Sequence, residues 1–204
     1  MRITSAFPFS PIMPSVLDTY PQVQVTSRAQ WRSWLLSNHS TTKGIWLVRY
    51  KKAHGEKHVP YADVVEEALC FGWVDGLARA LDDTRSQILL TPRKPRSNWS
   101  AVNKARVESL IASGLMMVAG LEKIDIAKAN GSWSNLEQSD ALTEPDDLKA
   151  AFTKSATARK NWDAFPPSAR KATLEWIYSA KRQETRADRV KKAVELSAQN
   201  LRPR

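Results

Sequence analysis

The alternation of apolar and polar residues predicts a small sheet in the first half of the chain. Residues 22–25 alternate as a short strand does, and residues 45–50 form an apolar, β-rich run that predicts a second strand. Between them, Trp31, Trp34 and Leu35 share one face of a helix because their spacing follows the helical repeat. This order of elements favours a fold that combines helices with strands.

A helix and a hairpin are predicted next. Residues 60–71 form an amphipathic helix with a proline at its start. Residues 73–81 and 84–91 then alternate as two strands that are joined by an acidic turn. On the first of these strands, the alternation places Asp75 and Arg79 on the same face.

The second half of the chain predicts helices that are separated by glycines and prolines. The predicted fold class is therefore α+β: a small, mostly antiparallel sheet packed by helices, followed by a helical C-terminal region. The organisation that we predict is a poorly ordered N-terminal extension (1–21), an α+β core domain (22–133), a polar linker (134–147) and a helical segment (148–204).

Composition and charge narrow the class of protein. The chain has 204 residues, of which 42% are hydrophobic, and this is enough to bury a core. Its net charge is +10, and the excess of Lys and Arg falls in residues 1–106 and 154–204. Such a charge favours an anionic partner, namely a small phosphate-containing molecule, nucleic acid or lipid headgroups. A basic surface that is only solvated explains the same charge.

The sequence favours a cytoplasmic location. Cys70 is the only cysteine, so the chain forms no internal disulfide, as is usual in a reducing compartment. There is no run of about eighteen apolar residues that would predict a transmembrane segment. Three prolines interrupt the N-terminal apolar stretch and argue against a secretory signal. Met13 could begin a shorter product, which would make residues 1–12 an upstream extension.

The main candidate site surrounds a basic loop over residues 91–100. Two prolines stiffen this loop, and its three cations lie next to the start of a helix, where free backbone N–H groups favour anions. We predict that the following residues bind a ligand there: Trp73, Asp75, Arg79, Arg85, Arg93, Lys94, Arg96, Ser97, Trp99 and Asn103.

Each main feature of this site has a structural alternative. Asp75 could orient a polar ligand, or it could only form a salt bridge that fixes the loop. Trp99 could stack on a base, or it could fill the core beneath a basic surface loop. The basic helix over residues 185–199 could contact nucleic acid or an anionic membrane, or it could pack on the rest of the protein.

The sequence predicts no cofactor, metal site or catalytic constellation. His39, His54 and His58 lack the cysteine pair or carboxylate cluster that would complete a metal site, so we interpret them as surface histidines. Glu67 could act as a general base, but a salt-bridged helix acid explains it as well. Without a nucleophile–base pair or a phosphate-binding glycine loop, the sequence leaves open whether the protein is an enzyme.

Several motifs occur together in a characteristic order. They are GIWL at 44–47, EALCFGWVDG at 67–76, TPRKP at 91–95, SNWS at 97–100, WI at 176–177 and AKR at 180–182. Over roughly residues 25–200 the chain resembles the YdeI/OmpD-associated family of bacteriocin-protection proteins. The resemblance implies a cytoplasmic bacterial protein linked to envelope stress and to tolerance of bacteriocins or cationic peptides. It carries over no catalytic residues.

Two functions follow from the charge and the resemblance. The first is a stress-associated binding protein whose basic pocket takes an anionic ligand. The second is an RNA- or DNA-binding protein that uses the basic loop and the C-terminal helix. The first predicts one saturable small ligand, whereas the second predicts an affinity that falls steeply with salt.

Overall fold

The computed structural model describes residues 16–204, and the chain separates into two compact units. The first unit comprises the described residues of Met1–Arg93 together with Leu115–Leu121, and the second comprises Lys94–Gly114 with Glu122–Arg204. The predicted α+β class is confirmed, since the sheet lies in the first unit and the C-terminal helices lie in the second. Most of the predicted N-terminal extension lies outside the described residues.

A four-stranded sheet forms the framework of the first unit. β1 and β2 run parallel, while the pairs β2–β4 and β3–β4 are antiparallel, so the predicted, mostly antiparallel sheet is confirmed. The spatial order is β1-β2-β4-β3. The strands are β1 (Gln22–Gln24), β2 (Ile45–Tyr50), β3 (Trp73–Ala80) and β4 (Arg85–Pro92).

Two helices belong to the same unit, α1 (Arg28–Asn38) and α2 (Tyr61–Cys70). Ser27 begins α1 because its hydroxyl accepts a hydrogen bond from the Gln30 N–H at 3.2 Å, which satisfies one of the free donors at the helix start. The apolar stripe of α1 points into the core, where Trp31 is fully buried. Helix α2 leads into β3 through a glycine with positive φ, and this sharp change of direction ends the helix.

β3 contains a bulge that changes which residues share a face. Asp75 pairs with Leu90, and Ala78 pairs with Ile88, so three steps along β3 match two steps along β4. The extra residue moves Arg79 to the face opposite Asp75. The prediction that Asp75 and Arg79 share a face is therefore wrong, because strict alternation does not hold across a bulge.

The Leu115–Leu121 segment of the first unit is held against the end of α2. The Met117 N–H donates to the Cys70 carbonyl at 3.1 Å, and Arg32 Nη2 donates to the first carbonyl of the segment at 3.0 Å. A Cβ at Gly120 would lie only 2.3 Å from the Cys70 carbonyl oxygen. Only glycine permits so close an approach of the two backbones.

Glu67 is a buried acid that joins the two helices of this unit. It is 2% exposed and accepts hydrogen bonds from Arg28 Nε and Arg32 Nη1, both at 2.7 Å. Burial alone lowers the pKa of Arg28, but hydrogen bonds to Glu67 and Glu66 raise it above its usual value. Glu67 therefore forms salt bridges in the structure, as the second interpretation of the sequence expects.

The second unit is helical and has an aromatic core. Its apolar side chains converge on Trp162, which is fully buried beside Phe152. The prolines at 166 and 167 separate two helices as predicted, because proline fits the first turn of a helix but not its interior. Besides α4 (Val118–Ala129), which continues from the first unit, the helices are α3 (Ala101–Ala112), α5 (Glu137–Asp140), α6 (Asp146–Phe152), α7 (Ala156–Ala164), α8 (Pro167–Tyr178) and α9 (Gln183–Ala198).

The acidic stretch predicted as a linker, residues 134–147, contains α5 and contacts the rest of the second unit. Glu137 Oε1 lies 2.9 Å from Lys104 Nζ, and Asp140 Oδ1 lies 2.5 Å from Lys171 Nζ. These hydrogen bonds lower the pKa of Glu137 and raise the pKa of Lys171. The acidic side chains that suggest a solvated linker therefore bind cations of their own unit.

Candidate functional site

The predicted site residues divide between the two units. Trp73, Asp75, Arg79, Arg85 and Arg93 belong to the first unit. The second unit holds the rest, which are Lys94, Arg96, Ser97, Trp99 and Asn103.

In the first unit, Asp75 and Arg93 belong to a polar cluster beside the start of α2. The Tyr61 hydroxyl donates a short hydrogen bond to Asp75. Arg93 is 3% exposed, and burial lowers the pKa of its guanidinium to about 10, while the nearby Asp75 carboxylate raises it. Arg93 remains charged at neutral pH, so Asp75 compensates a buried cation.

The other predicted residues of the first unit make contacts within the fold. Trp73 is buried and donates its indole N–H to the His39 carbonyl at 3.1 Å. Arg79 lies over the Trp46 ring, 4.1 Å from its centroid. Arg85, at the turn end of the hairpin, lies 2.6 Å from Asp82, and hydrogen bonds from Arg85 and Thr84 hold the pKa of Asp82 well below its usual range.

In the second unit, the basic loop leads into α3. Ser100 is the N-cap, since its hydroxyl accepts from the Asn103 N–H at 3.3 Å. Trp99 is 1% exposed and packs on Trp133 with ring centroids 5.0 Å apart. Its indole thus fills the core and is not exposed as a stacking surface. Arg96, in contrast, is exposed.

Arg96 lines a cavity of about 820 Å³ within the second unit. Cavities of about 300–1,000 Å³ are the usual size for small-molecule sites. The wall combines the basic loop, the turn after α4 and the end of α8. Its lining residues are Arg96, Asn98, Asn130, Ser132, Asn135, Leu136, Ala172, Glu175, Trp176, Tyr178, Ser179, Ala180, Lys181 and Arg204.

Hydrogen bonds on both sides of Arg96 fix the loop to the cavity wall. The Pro95 carbonyl accepts from Asn130 Nδ2 at 2.7 Å and from the Ser132 hydroxyl at 3.3 Å. On the other side of Arg96, Asn135 Nδ2 donates to Asn98 Oδ1 at 3.1 Å. Because both flanks are anchored, the backbone at Arg96 is held in place before any ligand arrives.

The cavity is basic and has an aromatic wall. Three of its lining side chains are cations, Arg96, Lys181 and Arg204, against a single carboxylate, Glu175. The Arg204 guanidinium also lies over the Trp176 ring, 5.1 Å from its centroid. An anion that enters the cavity would therefore meet more positive than negative charge, with an apolar surface beside it.

Sequence reasoning finds Arg96 but misses most of the wall. The missed residues lie on elements far apart in the sequence, such as Asn130 in the turn after α4, Trp176 in the last turn of α8 and Lys181 in the segment after α8. The available signal was the pair of cations Lys181-Arg182, which follows an amphipathic helix, but cations at a helix end also favour the helix dipole without any ligand.

The structure offers no ready metal site within residues 16–204, where no group of three or more His, Cys, Asp or Glu side chains comes together. His39 and His58 each place Nδ1 near a backbone carbonyl, at 2.9 and 2.7 Å. Within the same residues, every helix is too short or too polar to cross a membrane.

Two family models match different parts of the chain. Residues 141–200 match the model described as "Bacteriocin-protection, YdeI or OmpD-Associated". Over this segment, the chain is similar to the YdeI/OmpD-associated family. Residues 23–123 match a separate model, a domain of unknown function (DUF8412). Comparisons with curated proteins and with solved structures gave no match.

The family match is narrower than the resemblance seen in the sequence. The motifs between residues 44 and 100 lie in the DUF8412 segment, whereas Trp176 and Lys181 lie in the YdeI/OmpD-associated segment. The cavity draws on both, because Arg96 comes from the first segment and the end of α8 from the second.

Proposed function

We propose that this YdeI/OmpD-associated protein is a cytoplasmic, stress-associated binding protein that holds a small anionic ligand in the cavity of its helical unit. The observation that carries the proposal is the convergence of Arg96, Lys181 and Arg204 on one cavity of about 820 Å³. The name of the family model links the proposed binding to protection against bacteriocins. In this view, ligand binding is the molecular step behind tolerance of such peptides.

The energetics favour a phosphate or carboxylate group over a neutral one. Hydrogen bonds between ionised partners contribute about 1.5–3 kcal/mol each, more than neutral ones. Arg96 supplies a planar, bidentate donor on a loop whose backbone is already anchored, so little backbone freedom is lost on binding. Lys181 supplies a second positive charge from the segment after α8.

The nucleic-acid alternative has less support from the contacts of α9. Arg186 donates to both carboxylate oxygens of Asp147, at 2.6 and 3.0 Å, and Arg189 donates to the Trp176 carbonyl. These two arginines thus bind groups of their own unit, although Lys191 and Lys192 remain exposed. The basic surface that α9 could offer to nucleic acid is therefore limited to these two lysines.

Binding of inorganic phosphate and pyrophosphate, measured by isothermal titration calorimetry, tests the proposal. Arg96→Ala and Lys181→Ala should each weaken binding about tenfold or more, the loss expected for one ionic hydrogen bond. Lys94→Ala is the matched control, because Lys94 is an exposed cation of the same loop that lies outside the described cavity lining. Its affinity should stay within about twofold of the wild type.

Two results would contradict the proposal. One is equal affinity in Arg96→Ala, Lys181→Ala and the wild type. The other is the absence of phosphate and pyrophosphate binding together with tight, strongly salt-dependent binding of a 12-mer oligonucleotide, which would favour the alternative. In cells, Arg96→Ala should leave bacteria as sensitive to a bacteriocin as cells that lack the protein.

A further inference from the structure

The Trp176 indole offers the cavity a surface for a flat group. Arg204 both lines the cavity and lies over this ring, so the indole and the guanidinium are neighbours in the cavity wall. Arg189 also lies over the ring, 5.3 Å from its centroid, and donates to the Ser179 hydroxyl at 2.9 Å. Planar guanidinium groups stack on indoles much as aromatic rings do. A ligand ring can take the place of Arg204 or lie beside it.

The cavity wall also carries polar groups that suit the edge of such a ring. Asn98, Asn130 and Asn135 all line the cavity. Asn130 uses its amide to hold Pro95 and the Ser132 N–H. The side-chain carbonyl oxygen of Asn135 accepts no hydrogen bond within the described part of the chain, so it can accept one from a ring N–H.

Glu175 places one carboxylate in an otherwise basic cavity. Its closest cation is Lys171, at 3.7 Å, which is a long contact for an ion pair. A carboxylate accepts hydrogen bonds but repels a phosphate, so it needs a neutral donor from the ligand. Sugar hydroxyls are such donors, and they would separate the ring from the phosphate in the ligand.

From these groups together we infer that the ligand of this cavity is a nucleoside monophosphate or a molecule of the same chemistry. Its ring lies on Trp176 and meets Asn135, its hydroxyls donate to Glu175, and its phosphate binds Arg96 and Lys181. This inference rests on the proposed function and adds the ring and the hydroxyls to the anion.

Three probes separate the inference from the proposed function. Isothermal titration calorimetry compares AMP, GMP, CMP and UMP with ribose 5-phosphate, which has the anion and hydroxyls but no ring. At least one nucleotide should bind about tenfold or more tightly than ribose 5-phosphate, the gain expected when a ring stacks on an aromatic side chain. The matching nucleoside, which lacks phosphate, should bind more weakly than its monophosphate.

Trp176→Ala should lower the affinity for that nucleotide to the level of ribose 5-phosphate and leave ribose 5-phosphate binding unchanged. Trp176→Phe should restore at least part of the difference, which a purely structural role of the indole would not explain. Equal affinities of nucleotides and ribose 5-phosphate would overturn the inference while the proposed anion site stands. The absence of binding by any of these phosphates and by inorganic phosphate and pyrophosphate would overturn both.

Discussion

Replacing Gly120 with alanine tests how the Leu115–Leu121 segment is seated in the first unit. The added methyl carbon would lie 2.3 Å from the Cys70 carbonyl oxygen and 2.7 Å from the Leu69 carbonyl oxygen. Both neighbours are backbone oxygens of the last turn of α2. Because ordinary contact begins at 3.4 Å, the segment must move by about 1 Å to relieve the overlap.

Such a movement has a calculable cost. Overpacking costs about 1–3 kcal/mol, and the bonds from Met117 to Cys70 and from Arg32 to Leu115 contribute about 0.5–1.5 kcal/mol each. The better helix propensity of alanine offsets about 1 kcal/mol of this loss. We therefore expect Gly120→Ala to lower the free energy of unfolding by about 2–4 kcal/mol.

Urea denaturation followed by circular dichroism measures this change. Gly76→Ala is the matched control, because a Cβ there would lie 3.7 Å from its nearest neighbour, and its effect should stay within about 0.5 kcal/mol. Cys70, the only cysteine, gives a local readout. Burial raises the pKa of its thiol, so it should react slowly with a thiol reagent in the wild type and faster in Gly120→Ala.

A wild-type free energy of unfolding in Gly120→Ala, with unchanged thiol reactivity, would refute this reasoning. It would mean that the segment does not approach α2 as closely as the structure shows.

Two further predictions concern ion pairs. Glu67→Gln should destabilise the protein by about 2–4 kcal/mol in the same urea assay, because Arg28 and Arg32 lose the negative charge that they both bind. Glu66→Gln loses only one bond to Arg28 and should cost less than about 1 kcal/mol. Equal costs would contradict the central role of Glu67. Arg186→Ala tests the pH dependence of the Asp147 pair, in which hydrogen bonds from Arg186 hold the pKa of Asp147 below its usual value. A lowered carboxyl pKa stabilises the folded state above the unfolded pKa, and this stabilisation is lost as the pH falls through the folded pKa. The variant should therefore be less stable by about 0.5–1 kcal/mol at pH 7, since the Asp147 side chain is 39% exposed, and the difference should shrink as the pH falls through the folded pKa of Asp147. A difference that does not change on acidification would show that the lost packing of Arg186, and not its charge, matters.

The sheet shows which parts of this fold a sequence can predict. Strand β2 follows from its apolar, β-rich run, and the hairpin of β3 and β4 follows from alternation. Both signals depend only on neighbouring residues. The bulge between Asp75 and Ala78 does not follow from either signal, because the sequence still reads as one continuous strand and the extra residue is seen only in the pairing with β4. Gly76 was the available signal, since a glycine inside a strand often marks a bulge.

The cavity shows where prediction from the sequence ends. The stiff basic loop identifies Arg96 because prolines, cations and a helix start lie together along the chain. Its partners Trp176 and Lys181 are about eighty residues away, and only tertiary packing brings them to the same cavity. Trp99, conversely, lies in a basic loop where a ligand-stacking residue would be expected, but it packs on Trp133 in the core.

The position of the anion site can be tested by ¹⁹F NMR of protein labelled with 5-fluorotryptophan, which locates a bound anion. The eight tryptophans divide evenly, with Trp31, Trp34, Trp46 and Trp73 in the first unit and Trp99, Trp133, Trp162 and Trp176 in the second. Single Trp→Phe variants assign the signals. Titration with pyrophosphate should shift the Trp176 resonance in a saturable way and leave the four resonances of the first unit unchanged. Saturable shifts in the first unit with a constant Trp176 resonance would contradict the assignment of the anion site to this cavity.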